Sequence, residues 1–361
     1  MTTSESIEAP VTRVLKQEQM DASPDIIEVA RGILRLQLPI DFTGLGHVNT
    51  YALEDAKGFA FIDPGLPGEE PWKILRHRMD AAGIPLRRVH TIVVTHSHPD
   101  HFGGAGLLAE KSGGTIVASE RFRTFFDAAD FDERELEEAD GIDGGKTPIS
   151  GIRLGGPSPW GGSTIGPPPD ARKRMLAHRA EGFKWFKVPR PSHRVADRDR
   201  VTFGGRDWVG LFTPGHTDDH LCFYDEESGI LLSGDQVLPT ITPHISGLIP
   251  GDSLLMYTES LERLSALPHV SLVLPAHGQP FHDLSGRAGE IKRHHDERLA
   301  RLLEISDGAG WANVIELSHA LFAPRSWGSM AEEETFAHLE RLRATGALQR
   351  REEAGVLLYH R

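Results

Sequence analysis

Residues 95–101 read THSHPDH, and the residues just before them, 90–94, read HTIVV. A short apolar run rich in β-branched side chains, closed by a turn, predicts a buried strand over residues 90–95. The turn that follows can aim His96, His98, Asp100 and His101 at one point beyond the strand's carboxyl end. Imidazole and carboxylate are ligands for zinc or another borderline divalent ion, and no thiolate is offered.

Three later segments repeat this logic. His216 stands in TPGHTDDH, Asp235 in LLSGDQ and His277 in LPAHG, each where an apolar strand-like run gives way to a turn. The chain has 19 histidines, so a lone imidazole would mean little, whereas this ordered set is specific. One set of three histidines and one of Asp, His and His, bridged by Asp235, would hold two divalent ions, zinc first, with iron or manganese as alternatives. Such a pair makes hydroxide from water at neutral pH and stabilises the oxyanion formed on a carbonyl or phosphoryl group. Hydrolysis is the expected chemistry, with Asp100 and Asp235 as the candidate catalytic residues.

HSHPDH, GHT, SGDQ and PAHG, in that order, resemble the metallo-β-lactamase superfamily over roughly residues 28 to 283. The resemblance implies an αββα sandwich in which His96, His98 and His216 bind one metal, Asp100, His101 and His277 bind the second, and Asp235 bridges. It is closer to the glyoxalase II-like hydrolases than to the antibiotic-degrading enzymes. One class of those uses a cysteine ligand, whereas Cys222, the single cysteine here, lies in the apolar run HLCFY. Another class lacks the aspartate that Asp235 supplies. The favoured reaction is therefore attack by metal-bridging hydroxide on a thioester, ester or lactone carbonyl. A metal-dependent ribonuclease or phosphodiesterase is the alternative, with an iron-dependent sulfur dioxygenase behind it.

Length and charge narrow the field. At 361 residues the chain has room for two domains or for one large domain with an appendage. One cysteine excludes an internal disulfide framework and fits a reducing compartment. No basic N-terminal region leads into an apolar stretch, and no run of 18 apolar residues occurs, so the chain reads as cytoplasmic with no membrane partner. A net charge of −13 argues against a polyanion-binding surface. A small-molecule substrate is expected, and nucleic acid is disfavoured. The densest basic stretch, in residues 171 to 206, reads as a solvated helix face.

Along the chain, residues 1–25 are polar and aperiodic and predict a mobile tail. A catalytic domain is expected over residues 26–285. Its first strands are IIEVA, GILRLQLP, VNTYALED and GFAFID, the last ending at Asp63, which the resemblance places near the metals in a supporting role. Trp72, Leu75, Met79 and Ala82 fall at helical spacing, as do Leu254, Tyr257, Leu261 and Leu264 behind a cap at Asp252. Residues 120–200 are expected to be an insertion between the halves. In residues 141–170, fifteen of thirty are Gly or Pro, which predicts irregular backbone able to overhang the site. Trp160, Phe183, Trp185 and Phe186 are candidates for an apolar substrate wall or for packing of the insertion. His244 is a candidate for substrate contact and His220 for a supporting hydrogen bond.

Residues 286–361 change character. Ile291, His295, Leu299 and Leu302 make one helical stripe, so His294 and His295 read as helix-surface and packing residues. Three helices and a short hairpin resemble a winged helix, as appended to a branch of the superfamily that includes an endoribonuclease. From Gly286 onward eleven Lys and Arg face twelve Asp and Glu, which is not the charge of a groove reader. A packing or homodimerisation role fits better.

Overall fold

Alternation of inward and outward side chains organises two stacked sheets. The computed structural model describes residues 15–42, 44–124, 146–147, 152–153, 158–161 and 184–361. The first sheet is built from β1 (Ile27–Ala30), β2 (Ile33–Phe42), β3 (Leu45–Glu54), β4 (Phe59–Ile62), β5 (Val89–Val93) and β6 (Thr115–Ser119). A two-residue ladder, β7 (Lys146–Thr147) with β8 (Ile152–Arg153), stands apart, and β9 (His193–Val195) completes the first sheet beside β6. The second sheet is β10 (Arg200–Phe203), β11 (Arg206–Phe212), β12 (Leu221–Asp225), β13 (Ile230–Gly234) and β14 (Leu272–Pro275), in that order.

Both sheets are antiparallel at their start and parallel at their end: β4 to β6 run parallel in the first, β13 and β14 in the second. Parallel strands carry their carboxyl ends to one edge, which is where ligands gather in such sheets. Between the sheets lies a core that includes Ile62, Val93, Val117, Phe203, Trp208, Phe223 and Leu232. On the outer faces, α1 (Glu69–Ala81) and α3 (Ala105–Ser112) cover the first sheet through Leu75, Met79 and Leu108. The helix between them, α2 (Pro99–Phe102), carries part of the metal motif. The second sheet is covered by α4 (Ser253–Ser265) and the start of α5 (Leu284–Ala309), through Tyr257, Leu261, Leu264, Ala288 and Ile291. The αββα order that the family resemblance implies is present. Strands buried on both faces explain why HTIVV and HLCFY read as continuous apolar runs.

The helix over 253–265 starts where its cap predicts, with the Asp252 carboxylate accepting from Leu255 N at 2.9 Å. Beyond α5 come β15 (Ala312–Asn313), α6 (Val314–Leu321), α7 (Ser329–Ala344), β16 (Gln349–Glu353) and β17 (Val356–His360). The three strands form one antiparallel sheet in the order β15-β17-β16, so the expected helices and hairpin are all there. Their core comprises Leu302, Val314, Leu317, Phe336, Leu339, Leu342 and Tyr359, with Trp160 among them. The Trp160 ring lies 5.0 Å from that of Phe336, and its indole N–H donates to Glu332 Oε2 at 2.8 Å. Trp160 is therefore a packing residue of the C-terminal unit and no substrate wall.

Two other expectations change here. Phe186 packs under the first sheet against Phe102 and Phe122, Trp185 is half-buried under the Lys184 ammonium, and Phe183 lies outside the described residues. Residues 1–14 of the expected tail also lie outside them. From Lys16 onward the chain is docked: Glu18 is buried and accepts from the Thr240 and Ile241 backbone amides at 2.6 and 3.0 Å. A buried carboxylate satisfied by distant main-chain donors leaves no periodicity in its own segment. Among the described residues, no helix is long and apolar enough to cross a membrane.

Candidate metal centre

Four strand ends converge on one edge of the sandwich. β5 turns through Thr95 so that His96 and His98 precede α2, while Asp100 and His101 lie inside it. β11, β13 and β14 end just before His216, Asp235 and His277. Gly234 allows the tightest of these turns, since it has φ 50° and a Cβ there would meet His220 Nε2 at 2.6 Å.

The seven side chains gather in two sets. His96, His98, His216 and Asp235 each bring one donor atom within 4.8 Å of the others, and so do Asp100, His101 and His277. His98 Nδ1 lies 3.0 Å from both His96 Nε2 and His216 Nε2. Asp100 Oδ2 stands 3.5 Å from both His101 Nε2 and His277 Nε2. Asp235 reaches both sets: Oδ2 is 3.4 Å from His216 Nε2 and 3.6 Å from His101 Nε2, and Oδ1 is 3.3 Å from His277 Nε2.

These carboxylate–imidazole gaps exceed the ~2.7–2.9 Å of a charge-assisted hydrogen bond. They match the ~3.3 Å that separates two donors each ~2.0–2.1 Å from a shared tetrahedral ion. His101 Nε2, His277 Nε2 and Asp235 Oδ1 are buried with no hydrogen-bond partner, as ligands turned toward a common cation would be. The donor set fits zinc or a neighbouring divalent metal.

Four of the five imidazoles, all but His98, are fixed from behind. His101 Nδ1 donates to Asp63 Oδ2 at 2.9 Å, His277 Nδ1 to the His47 carbonyl at 2.6 Å, and His216 Nδ1 to the His244 carbonyl at 2.8 Å. Thr95 Oγ1 donates to Asp63 Oδ2 at 2.7 Å and accepts from His96 Nδ1 at 3.0 Å, so one buried carboxylate orients two ligands. Asp63 holds this position in left-handed backbone, φ 50°, a conformation aspartate tolerates better than most residues. His220 has both nitrogens engaged: Nε2 accepts from the Asp235 amide at 3.1 Å and Nδ1 donates to Thr213 Oγ1 at 2.8 Å. It braces Asp235 by hydrogen bonding, the part expected of it.

The two sets differ electrically. Burial, and then neighbouring imidazoles, hold His96 well below the usual histidine range and His98 down to about 3. For His101 burial acts against the charged form, yet Asp100, Asp235 and Asp63 outweigh it and raise the group well above its usual value. His277 is raised in the same way, Asp235 overcoming its burial. Carboxylates around the second set therefore favour positive charge there. Asp219, wholly buried, accepts from Ser97 N and Oγ at 3.3 and 3.0 Å and ties the first motif to the loop after His216.

Several supports have no local signature. His47, Thr95 and Asp219 could have been found only by knowing which strands become neighbours, and the His47 and His244 contributions are main-chain carbonyls. The His244 ring lies against Glu333 and Glu334, at 3.5 and 3.8 Å. Cys222 is buried in the second sheet's outer core and supplies no ligand.

Known proteins resemble this chain. A family model described as the metallo-beta-lactamase superfamily matches residues 43–277, a span that holds all seven donors. The chain belongs to the metallo-beta-lactamase superfamily. Within it, the chain is 24% identical over 331 residues to the probable metallo-hydrolase YqjP of Bacillus subtilis, covering 88% of this chain and 93% of that one. A metallo-beta-lactamase family protein from Thermus thermophilus shares 28% identity at a TM-score of 0.68, over 92% of this chain and all of the other. A beta-lactamase domain protein from Burkholderia ambifaria shares 25% at 0.69, covering 95% and 96%. Both solved relatives extend across the C-terminal unit as well as the sandwich. Superfamily membership and the donor sets together make the chain a metal-dependent hydrolase.

Proposed function

We propose that the chain is a dinuclear metal-dependent hydrolase of a small molecule bearing a thioester, ester or lactone carbonyl. The observation that carries this reading is Asp235, whose Oδ2 lies between the two donor sets, 3.4 Å from His216 Nε2 and 3.6 Å from His101 Nε2, while Oδ1 faces His277 Nε2 at 3.3 Å. His96, His98 and His216 would hold one ion, Asp100, His101 and His277 the other, with Asp235 shared between them. Two zinc ions there would supply Lewis acidity and a nucleophile from water at neutral pH.

The chain's own part is orientation and proton handling. Asp63, Thr95, His220 and the His47 and His244 carbonyls fix the ligands, so little rearrangement accompanies reaction. Asp100 and Asp235 are the catalytic residues of this reading. Asp100 is the more exposed of the two, 18% against 8%. Burial alone would raise its carboxyl, but His101, and then His277, hold it below the usual carboxylate range. It is thus an anion at the mouth of the site, placed to take a proton from water and pass it to a leaving group.

The acidic chain and the packing of α7 favour a small substrate over a polynucleotide. Phe336, Ala337, His338 and Leu339 of that helix are buried, so the face a groove reader would present is occupied. A panel of acyl-CoA, glutathione thioester, lactone, β-lactam and RNA substrates on one zinc-loaded preparation tests the reading. Turnover of carbonyl substrates that disappears on chelation and returns with zinc supports it. Full activity in metal-free protein, or cleavage confined to RNA, would sink it.

A further inference from the structure

A second group of imidazoles lies outside the centre, where α5 crosses α7. His295 projects from α5, and Glu334 and His338, four residues apart, project from one face of α7. One donor atom of each lies within 4.8 Å of the other two. We propose that His295, Glu334 and His338 form a further binding site for one borderline divalent cation of the zinc type, at the seam between the sandwich and the C-terminal unit.

The geometry repeats that of the strand-end centre. His295 Nδ1 and His338 Nε2 are 3.1 Å apart, against 3.0 Å for the imidazole pairs around His98. His338 Nδ1 donates to the Glu334 carbonyl at 2.7 Å, which fixes its tautomer and leaves Nε2 bare and turned toward His295. Backing of a ring's far nitrogen by a carbonyl is how ligating histidines are commonly held. Burial, then neighbouring charge, keeps His338 down to about 3 and His295 to about 2, so both rings are neutral at neutral pH and a cation meets no imidazolium there.

Glu334 completes the set. Its Oε1 pairs with Arg298, while Oε2 faces the His244 ring. Glu333 and Glu334 against Arg298, with neutral imidazoles, leave one net negative charge, which a divalent cation reverses without leaving a carboxylate unpaired. If no ion binds, the pair keeps a single imidazole–imidazole hydrogen bond from His295 to His338.

A cation here would clamp α7 to α5. Through Glu333, which accepts from Ser246 Oγ at 3.0 Å, it would also steady the loop whose His244 carbonyl orients His216.

The test uses the full chain, stripped with chelator, saturated with zinc, desalted and measured by elemental analysis. Glu334→Gln and His338→Gln should each hold one equivalent fewer per chain than the parent, while turnover on the best panel substrate stays within about twofold. Equal zinc content in parent and variants overturns the proposal. Crystals of the unmodified protein soaked in zinc give a readout that needs no variant to fold. An anomalous peak between His295 Nδ1, Glu334 and His338 Nε2 supports the site. Its absence while the strand-end centre shows peaks refutes it, and a peak here with an empty strand-end centre would refute only the dinuclear reading.

Discussion

The strand-end centre and the helix-seam cluster bring similar side chains to similar distances by different means. In the first, the candidate ligands stand at the ends of strands whose register is locked on both faces, and every ring but that of His98 is backed by a carboxylate, a hydroxyl or a carbonyl. In the second, two helices supply three donors by i, i+4 spacing, and a guanidinium already shares one carboxylate. Rigidity and ready-made negative charge distinguish a centre built for chemistry from one suited to holding elements together.

The sharpest way to break this contrast is to remove the residue that joins the two donor sets. Asp235→Ala is expected to lower kcat/KM by about a thousandfold or more, the scale of several kcal/mol of transition-state stabilisation, and to release metal from the strand-end centre. Zinc bound at the helix seam should persist in the same sample. A variant that kept both its metal and its turnover would erase the distinction.

Next in size is Asp63. Replacing it with alanine frees His101 and unseats Thr95 behind His96, and supporting residues of this kind typically contribute about 10–100-fold to metal affinity or activity. Zinc affinity measured against a competing chelator should fall by about that factor in Asp63→Ala. A drop of less than twofold would mean the ligands hold themselves.

Protons separate the two halves of the strand-end centre more gently. His101 and His277 are held above the usual histidine value, with burial opposing and carboxylates prevailing, so a metal entering the second set competes with protons. His96 and His98 carry none. Calorimetry of zinc binding in buffers of different ionisation enthalpy should therefore show more proton release for one ion than for the other. Equal release for both would contradict the electrical asymmetry.

The smallest effect concerns acid. His295 and His338 titrate lower in the folded chain than the ~6.5 of a free histidine, so between that value and about 3 the unfolded chain binds more protons. Stability is then greatest above pH ~6.5 and declines as pH falls toward ~3. In chelated protein, the slope of Tm against pH over this window should be shallower for His338→Gln than for the parent. An unchanged slope would show that the cluster takes up protons freely.

What the sequence revealed follows the same divide. His96, His98, Asp100 and His101 fall within six residues after an apolar run, and His216, Asp235 and His277 each mark a strand end, so short-range pattern carried both the sandwich and the donors. The backing did not show, because a carbonyl at His47 or His244 has no residue type to read. Nor did the seam cluster: His295 and His338 sit on helices joined only by tertiary packing, and the stripe that marks His295 as buried says nothing of what it meets. Trp160 carried two readings because its partner Phe336 lies 176 residues downstream. Docking of residues 16–25 was hidden for a similar reason, since Glu18 is satisfied by Thr240 and Ile241.

The Trp160 contact ties two distant segments together. A short stretch from the middle of the chain sits inside a core otherwise supplied by residues 302–359, and the Leu357 amide closes over it by donating to the Pro159 carbonyl at 3.0 Å. Grafting either segment alone into a relative would strand a buried indole or open a hole the size of one. The two segments are therefore physically interdependent, and a change in one has to be read together with a change in the other.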